Sequence, residues 1–277
     1  MSKKRLLWIG FVLVLFILWI WLGGRSEKPV EITYYAAKSL NVVSEELISK
    51  FHESHPEILV RGSYDSSGTL MEGILNGHAV DVFFSASGTQ MKKLSEAGLV
   101  VEKSHYDLLN NQVCVVTYKG SNTTVTGLLD LAKAKSIALA DGSVPVGKYT
   151  REALVAAGLL DGTEDNAKIS TEEISKALGN VTINACGNVG AVATAVMEGA
   201  NEVGIVYYSD VYGREDKLEI LEKVSYELTG NVIYPVARIE NPKASEEQRK
   251  AAETFLEFLR SREAKEIFTA YHFDVIE

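Results

Sequence analysis

The segment Asn188-Val189-Gly190-Ala191 opens a run that ends at Gly204-Ile205-Val206-Tyr207. Its first residues place a short polar side chain and small residues ahead of an apolar, helix-like stretch. Its last residues are a β-branched strand that stops at a tyrosine. The same grammar occurs earlier, in Ala36-Ala37-Lys38-Ser39-Leu40 and in Asp65-Ser66-Ser67-Gly68-Thr69-Leu70: a strand-like run, a small or hydroxyl residue, then a helix-like run. Strand followed by helix, repeated, predicts an α/β fold built on parallel sheets. In such sheets the helix N-termini gather on the carboxyl side of the strands, where ligands bind. A helix N-terminus presents unpaired N–H groups and a positive dipole end. Lys38 is the one cation in these turns, and their N–H and O–H groups suit an oxyanion held through neutral donors. Ser39 and Ser67 are read as N-caps of their helices. Capture of an ion is favoured over catalysis.

Working outward, strands are predicted over 31–37, 58–64, 80–85, 111–118, 136–140, 180–184, 203–207, 220–224 and 232–239. Helices are predicted over 40–54, 69–76, 91–97, 149–157, 189–198, 245–260 and 264–271. Glycine and proline form no linker, so any two lobes are joined by strands.

The chain has 277 residues, 46% of them apolar, with a net charge of −9. This is enough material for one large core or two smaller ones. Setting aside the four N-terminal cations Lys3, Lys4, Arg5 and Arg25 takes −9 to −13 for the remainder. Such a body repels nucleic acid, and any anion it binds must be held by local dipoles against that field. The two cysteines, Cys114 and Cys186, have no metal-ligand spacing, and sequence leaves a disulfide between them open.

Residues 1–5 are basic and residues 6–22, LLWIGFVLVLFILWIWL, are apolar throughout. That is the pattern of an export signal or of a signal-anchor of roughly minimal spanning length. Residues 1–25 are assigned to this element, an N-terminal hydrophobic helix, and the body is expected outside the cytoplasm. All three tryptophans lie here, two of them at the distal end, and no lipid-accepting cysteine follows, which favours an uncleaved membrane tether.

Three motifs suggest enzymes and fall short. Gly142 to Lys148 satisfies the spacing of a phosphate loop, but Tyr149 stands where Ser or Thr must hold Mg²⁺. Gly187-Asn188-Val189-Gly190 is only a fragment of a dinucleotide fingerprint. His52-Glu53-Ser54-His55 has the wrong spacing for a zinc protease and runs into Pro56. A phosphate-ester hydrolase or an NTPase using the 142–150 loop therefore remains the enzymatic alternative.

Taken together, YYAAKSL at 34–40, SYDSSGTL at 63–70, AVDVFFSAS at 79–87, VPVGKYTREAL at 144–154, NVGAVATAV at 188–196, GIVYYSD at 204–210 and YPVARI at 234–239 resemble the substrate-binding proteins of bacterial molybdate ABC transporters. The resemblance covers nearly all of residues 31–277. It implies a two-lobed periplasmic-binding-protein fold of type II, with lobe one at 31–112 plus 233–277 and lobe two at 113–232. It also implies a non-enzymatic role: capturing molybdate, and tungstate with it, in the interlobe cleft for an ABC permease, with no other cofactor. Carried over, the ligand-binding positions are the hydroxyls of Ser39 and Ser67, the backbone N–H groups of Ala86, Val146 and Val189, and the phenol of Tyr207. The metal is reached only through its oxygens. Lys38 departs from the family pattern and adds charge near the mouth. Another tetrahedral oxyanion, such as sulfate, is the alternative within the same class.

Overall fold

The computed structural model describes residues 28–276. In chain order the strands are β1 (Val30–Ala37), β2 (Ile58–Asp65), β3 (Val82–Phe84), β4 (Tyr106–Asn111), β5 (Val113–Tyr118) and β6 (Ser136–Ala140). They continue with β7 (Thr182–Cys186), β8 (Val203–Tyr207), β9 (Leu218–Lys223), β10 (Val232–Arg238) and β11 (Asp274–Val275). The helices are α1 (Asn41–Ser54), α2 (Ser67–Leu75), α3 (Gly88–Glu96), α4 (Pro145–Ala156), α5 (Thr171–Ala177), α6 (Val189–Met197), α7 (Tyr226–Thr229), α8 (Glu246–Leu259) and α9 (Arg262–Ala270).

Six strands form one sheet in the order β11-β4-β10-β3-β1-β2, and five form a second in the order β7-β6-β8-β5-β9. The expected α/β class is present, and the two sheets make a two-lobed fold. The sheets are mixed rather than purely parallel. β1 runs parallel to β2 and β3, and β6 parallel to β7 and β8, but β10 is antiparallel to β3 and β4, and β5 to β8 and β9. β11 is also antiparallel to β4, and of these reversed strands β10 and β5 lie at the crossings. β4 leads through Gln112 straight into β5 of the other sheet, and β10 returns beside it, with Val232 opposite Asn111.

Packing follows pattern. Along β1, Ile32, Tyr34 and Ala36 are buried at alternate positions, as one face of a strand against helices requires. Phe255 of α8 packs edge-on to Tyr34 and Phe51 at ring-centroid distances of 5.2 and 5.0 Å, closing the first-sheet core. Strand β8 is buried along its whole length, as a central strand covered on both faces is.

Several boundaries differ from the sequence reading. The run expected as one strand over 111–118 is two, split at Gln112, and β4 was not foreseen. Neither were α5, α7 and β11. Helix α4 begins at Pro145, four residues before the expected start, with proline at a position where its missing N–H costs nothing. Ser39 is not a cap: it sits inside a 3-10 turn, Lys38–Leu40, that precedes α1, and no side chain caps that turn. Ser67 is not a cap either, because Ser66 accepts the Thr69 N–H and caps α2. Cys114 and Cys186 are buried free thiols, with burial pushing the Cys114 thiol up to about 12. Among the described residues no helix is long and apolar enough to cross a membrane. The signal or anchor expected over residues 1–25 lies outside the described residues.

Candidate functional site

The three parallel strands of each sheet aim their carboxyl ends at the other sheet. In the first, β1 delivers Ser39, β2 delivers Ser67 and β3 delivers Ala86. In the second, β6 leads to Val146, β7 to Val189, and β8 ends at Tyr207. All six predicted residues line one narrow cavity between the sheets, together with Ala37, Lys38, Ser66, Val144 and Pro145. About 10 Å³ of it admits the centre of a water molecule, the room of about one small group.

The lining contains no carboxylate, and Lys38 is its only charged side chain. Two helix N-termini reach it without spending their first N–H groups on a local side chain across the cleft: α4, which has no side-chain cap, and α6, whose Asn188 cap serves Ala191 rather than Val189. The 3-10 turn at Lys38 is likewise uncapped. Converging N-termini and Lys38 make this an electropositive pocket.

Each hydroxyl has a defined environment. Ser67 is fully buried, and its Oγ accepts the Ala86 N–H at 2.9 Å. Ala86 N–H, expected to face the ligand, thus holds Ser67 from behind. Ser39 Oγ lies 2.9 Å from the Tyr234 hydroxyl. The Tyr207 hydroxyl is sealed from solvent and has no hydrogen-bond partner. Burial beside Tyr234 and Tyr149 holds its pKa well above the ordinary phenol value, so it is a neutral donor. A buried hydroxyl without a partner costs about 1–3 kcal/mol, and a ligand oxygen in the cavity would supply the acceptor.

The lobes touch around this cavity. Lys148 Nζ donates to Thr89 Oγ1 at 2.9 Å, and Asn188 Nδ2 approaches Asp65 Oδ1 at 3.4 Å. A Cβ on Gly68 would meet the Ser143 carbonyl oxygen at 3.0 Å, and one on Gly190 would meet the Lys38 stem at 3.1 Å. Both glycines are therefore close approaches between lobes. The loop that resembled a phosphate loop has a structural use as well. A Cβ on Gly147 would collide with the carbonyl oxygens of Asp141 and Ala140, and Lys148 is tied to Thr89 and to Glu152. His52 and His55 sit at the end of α1, near Ile58 and Glu57.

One neighbour escaped the sequence reading. Asp210, in the 3-10 turn after β8, is buried, and its Oδ2 accepts the Tyr207 N–H at 3.0 Å. Burial raises its pKa to about 6, against the opposing effects of that hydrogen bond and of Arg214. A folded-state pKa above the unfolded value means that the folded state holds the extra proton, so stability from this group is full at low pH and is lost as pH rises through about 6. Asp210→Asn removes the titration while keeping an acceptor. The melting temperature of Asp210→Asn relative to the parent is expected to rise between pH 5 and pH 7.5, the free-energy change over that range being about 1.5 kcal/mol. A constant difference across that range would show that the Asp210 carboxyl is not raised to about 6 by its burial.

A family model described as bacterial extracellular solute-binding protein matches residues 32–274, nearly the whole described chain. The chain belongs to the bacterial extracellular solute-binding protein family. This solute-binding protein is 31% identical over 249 residues to a Bacillus subtilis protein, YvgL, whose name assigns it as an ABC transporter substrate-binding lipoprotein; the match covers 90% of this chain and 88% of that one. It is 26% identical over 262 residues to the molybdate-binding protein of Haemophilus influenzae, covering 91% and 93%. It is 24% identical over 265 residues to a sulfate-binding protein of Synechococcus elongatus, covering 91% and 75%. Among solved structures, the substrate-binding domain assigned to a molybdenum ABC transporter of Clostridium difficile superposes with a TM-score of 0.64 at 29% identity, covering 89% of this chain and 99% of that one. The periplasmic molybdate-binding protein of Azotobacter vinelandii gives 0.72 at 18% identity, covering 89% and 100%, a likeness of fold.

Proposed function

We propose that this solute-binding protein captures molybdate, and tungstate with it, in the interlobe cavity and delivers it to an ABC permease at the outer face of the cytoplasmic membrane. In this reading it is not an enzyme, and residues 6–22 export it or tether it there. The lobes are taken as 31–112 plus 233–277 and 113–232, joined at the two crossings. The observation that carries the reading is the lining of the cavity: two serine hydroxyls, an unpaired buried phenol and converging helix N-termini, that of α4 uncapped, with no carboxylate. The relatives named for molybdate support the choice of anion.

The chemistry follows from proton count. Molybdate at neutral pH is a dianion that only accepts hydrogen bonds. A donor-only site satisfies all its oxygens, whereas a protonated phosphate brings an O–H that finds no good acceptor there. Sulfate has the same charge and shape and is smaller, so it is rejected by fit alone. The relative named for sulfate makes sulfate the second reading.

Calorimetric titration of the full chain in detergent with molybdate, tungstate, sulfate and phosphate tests this. Tight binding of the first two and weak or absent binding of the others is expected. Equal affinity for sulfate moves the assignment to a sulfate-type receptor, and no binding of any oxyanion overturns it.

A further inference from the structure

Behind Ser39 a chain of hydrogen bonds runs into the crossing strands, and its direction is fixed by atoms that have no choice. Asn111 is the last residue of β4 and is buried. Its Oδ1 accepts the backbone N–H of Gln112 at 2.8 Å. A backbone N–H can only donate, so the amide oxygen is identified and the NH2 group faces the other way. That NH2 donates to Ser209 Oγ at 2.8 Å and to the Tyr234 hydroxyl at 3.1 Å. Tyr234 is fully buried on β10, and its hydroxyl's other close hydrogen bond is to Ser39 Oγ, at 2.9 Å, while the Tyr207 hydroxyl is a looser neighbour that makes no close bond with it. Having accepted from Asn111, the phenol has one proton to place. If Ser39 donated to it, that proton would be left with only the Tyr207 hydroxyl, which makes no close hydrogen bond with it, and a buried donor so poorly served costs about 1–3 kcal/mol. The phenol therefore donates to Ser39, and the Ser39 proton is turned toward the cavity.

We infer that Tyr234, held by Asn111, is a positioning residue that fixes Ser39 as a hydrogen-bond donor to the bound anion and so helps set the site's preference for fully deprotonated oxyanions. The inference rests on the oxyanion reading above. Hydrogen bonds in such a chain polarise one another in the same sense, which strengthens the terminal donor. Both crossing strands contribute, β4 through Asn111 and β10 through Tyr234. The amide also reaches Ser209 of the other lobe, two residues beyond Tyr207.

Tyr234→Phe removes only the hydroxyl. The ring keeps its edge-on packing against Tyr207 and Phe273, at centroid distances of 5.8 and 5.5 Å. In the full chain Tyr234→Phe is expected to lower molybdate affinity about tenfold and to raise phosphate affinity relative to molybdate. In a Ser39→Ala background the same substitution is expected to change affinity less than twofold, because it acts through Ser39. Equal losses in both backgrounds, or none in either, overturn the proposal. The proton's direction is read separately, without any anion. A slowly exchanging Tyr234 hydroxyl proton should appear by NMR with cross-peaks to the Ser39 β-protons, and should shift or broaden away in Ser39→Ala. A Tyr234 proton that is indifferent to Ser39 overturns the inference. If that signal behaves as expected while the parent chain binds no molybdate, the functional reading fails and the wiring stands.

Discussion

Ser67→Ala is expected to weaken molybdate binding by about 1.5–3 kcal/mol, roughly ten- to a hundredfold, the scale of a hydrogen bond to a charged partner. Ser67 has two reasons to matter. Its Oγ takes the Ala86 N–H, which occupies one of its two lone pairs and leaves its own proton free to donate into the cavity. Removing it deletes one donor and leaves the Ala86 N–H without its buried acceptor. Ser39→Ala is expected to cost a similar amount through the chain from Tyr234. The control is Ser245, whose Oγ accepts the Gln248 N–H and caps α8. Ser245→Ala should lower stability by about 1 kcal/mol and leave affinity alone. If Ser67→Ala behaves like Ser245→Ala, losing stability and keeping affinity, then Ser67 does not touch the anion.

Arg151→Met is expected to destabilise the protein by about 3–5 kcal/mol, read as a lowered urea midpoint with an unchanged slope. Arg151 is 2% exposed. Its guanidinium donates to the carbonyls of Ile169 at 2.7 Å, Gly147 at 2.8 Å and Ala140 at 3.0 Å. These carbonyls belong to the loop before α5, to the first turn of α4 and to the end of β6. One side chain thus pins the turn that presents Val146 to the cavity. Methionine keeps most of the volume and strands three buried acceptors. Burial pulls the guanidinium below its ordinary pKa, with Asp141 opposing, yet the group remains a donor only. A loss under 1 kcal/mol would mean that the carbonyls find other partners and that the arginine is a spacer.

What the sequence disclosed and what it hid follow the same physics. β6 and β8 were read to the residue because Ser136–Ala140 and Val203–Tyr207 are short apolar runs between polar flanks, a pattern few other structures share. The helix N-termini at 38–41, 67 and 189 were legible as small or hydroxyl residues after strands, and the structure gathers them, with that at 145, around one cavity. The roles inside those turns were not legible. Which of Ser66 and Ser67 caps α2 is a matter of one dihedral, and the adjacent hydroxyls look alike in sequence. α4 was started late because Val144-Pro145-Val146-Gly147 resembled a phosphate loop, although Pro145 was the usable signal for a helix start. β4 was missed because Tyr106-Asp107-Leu108-Leu109-Asn110-Asn111 carries two asparagines where a strand avoids them. Those asparagines have work at the crossing: Asn110 Oδ1 accepts the Val232 N–H, and Asn111 holds Tyr234. Tyr234 itself lay in a motif that was read as a crossing strand, with nothing local to show that its hydroxyl reaches back 195 positions to Ser39. Contacts of that range are set by topology and cannot be seen in local pattern.

The central claim is that a tetrahedral oxyanion sits between the two sheets and is held from both. Crystals grown with molybdate, measured at the molybdenum absorption edge, test it most directly through the anomalous difference map. The account predicts one strong molybdenum peak in the cavity, its oxygens within hydrogen-bond reach of Ser39 Oγ, Ser67 Oγ and the Tyr207 hydroxyl. A peak elsewhere on the molecule, or none in the cavity at saturating molybdate, would contradict it.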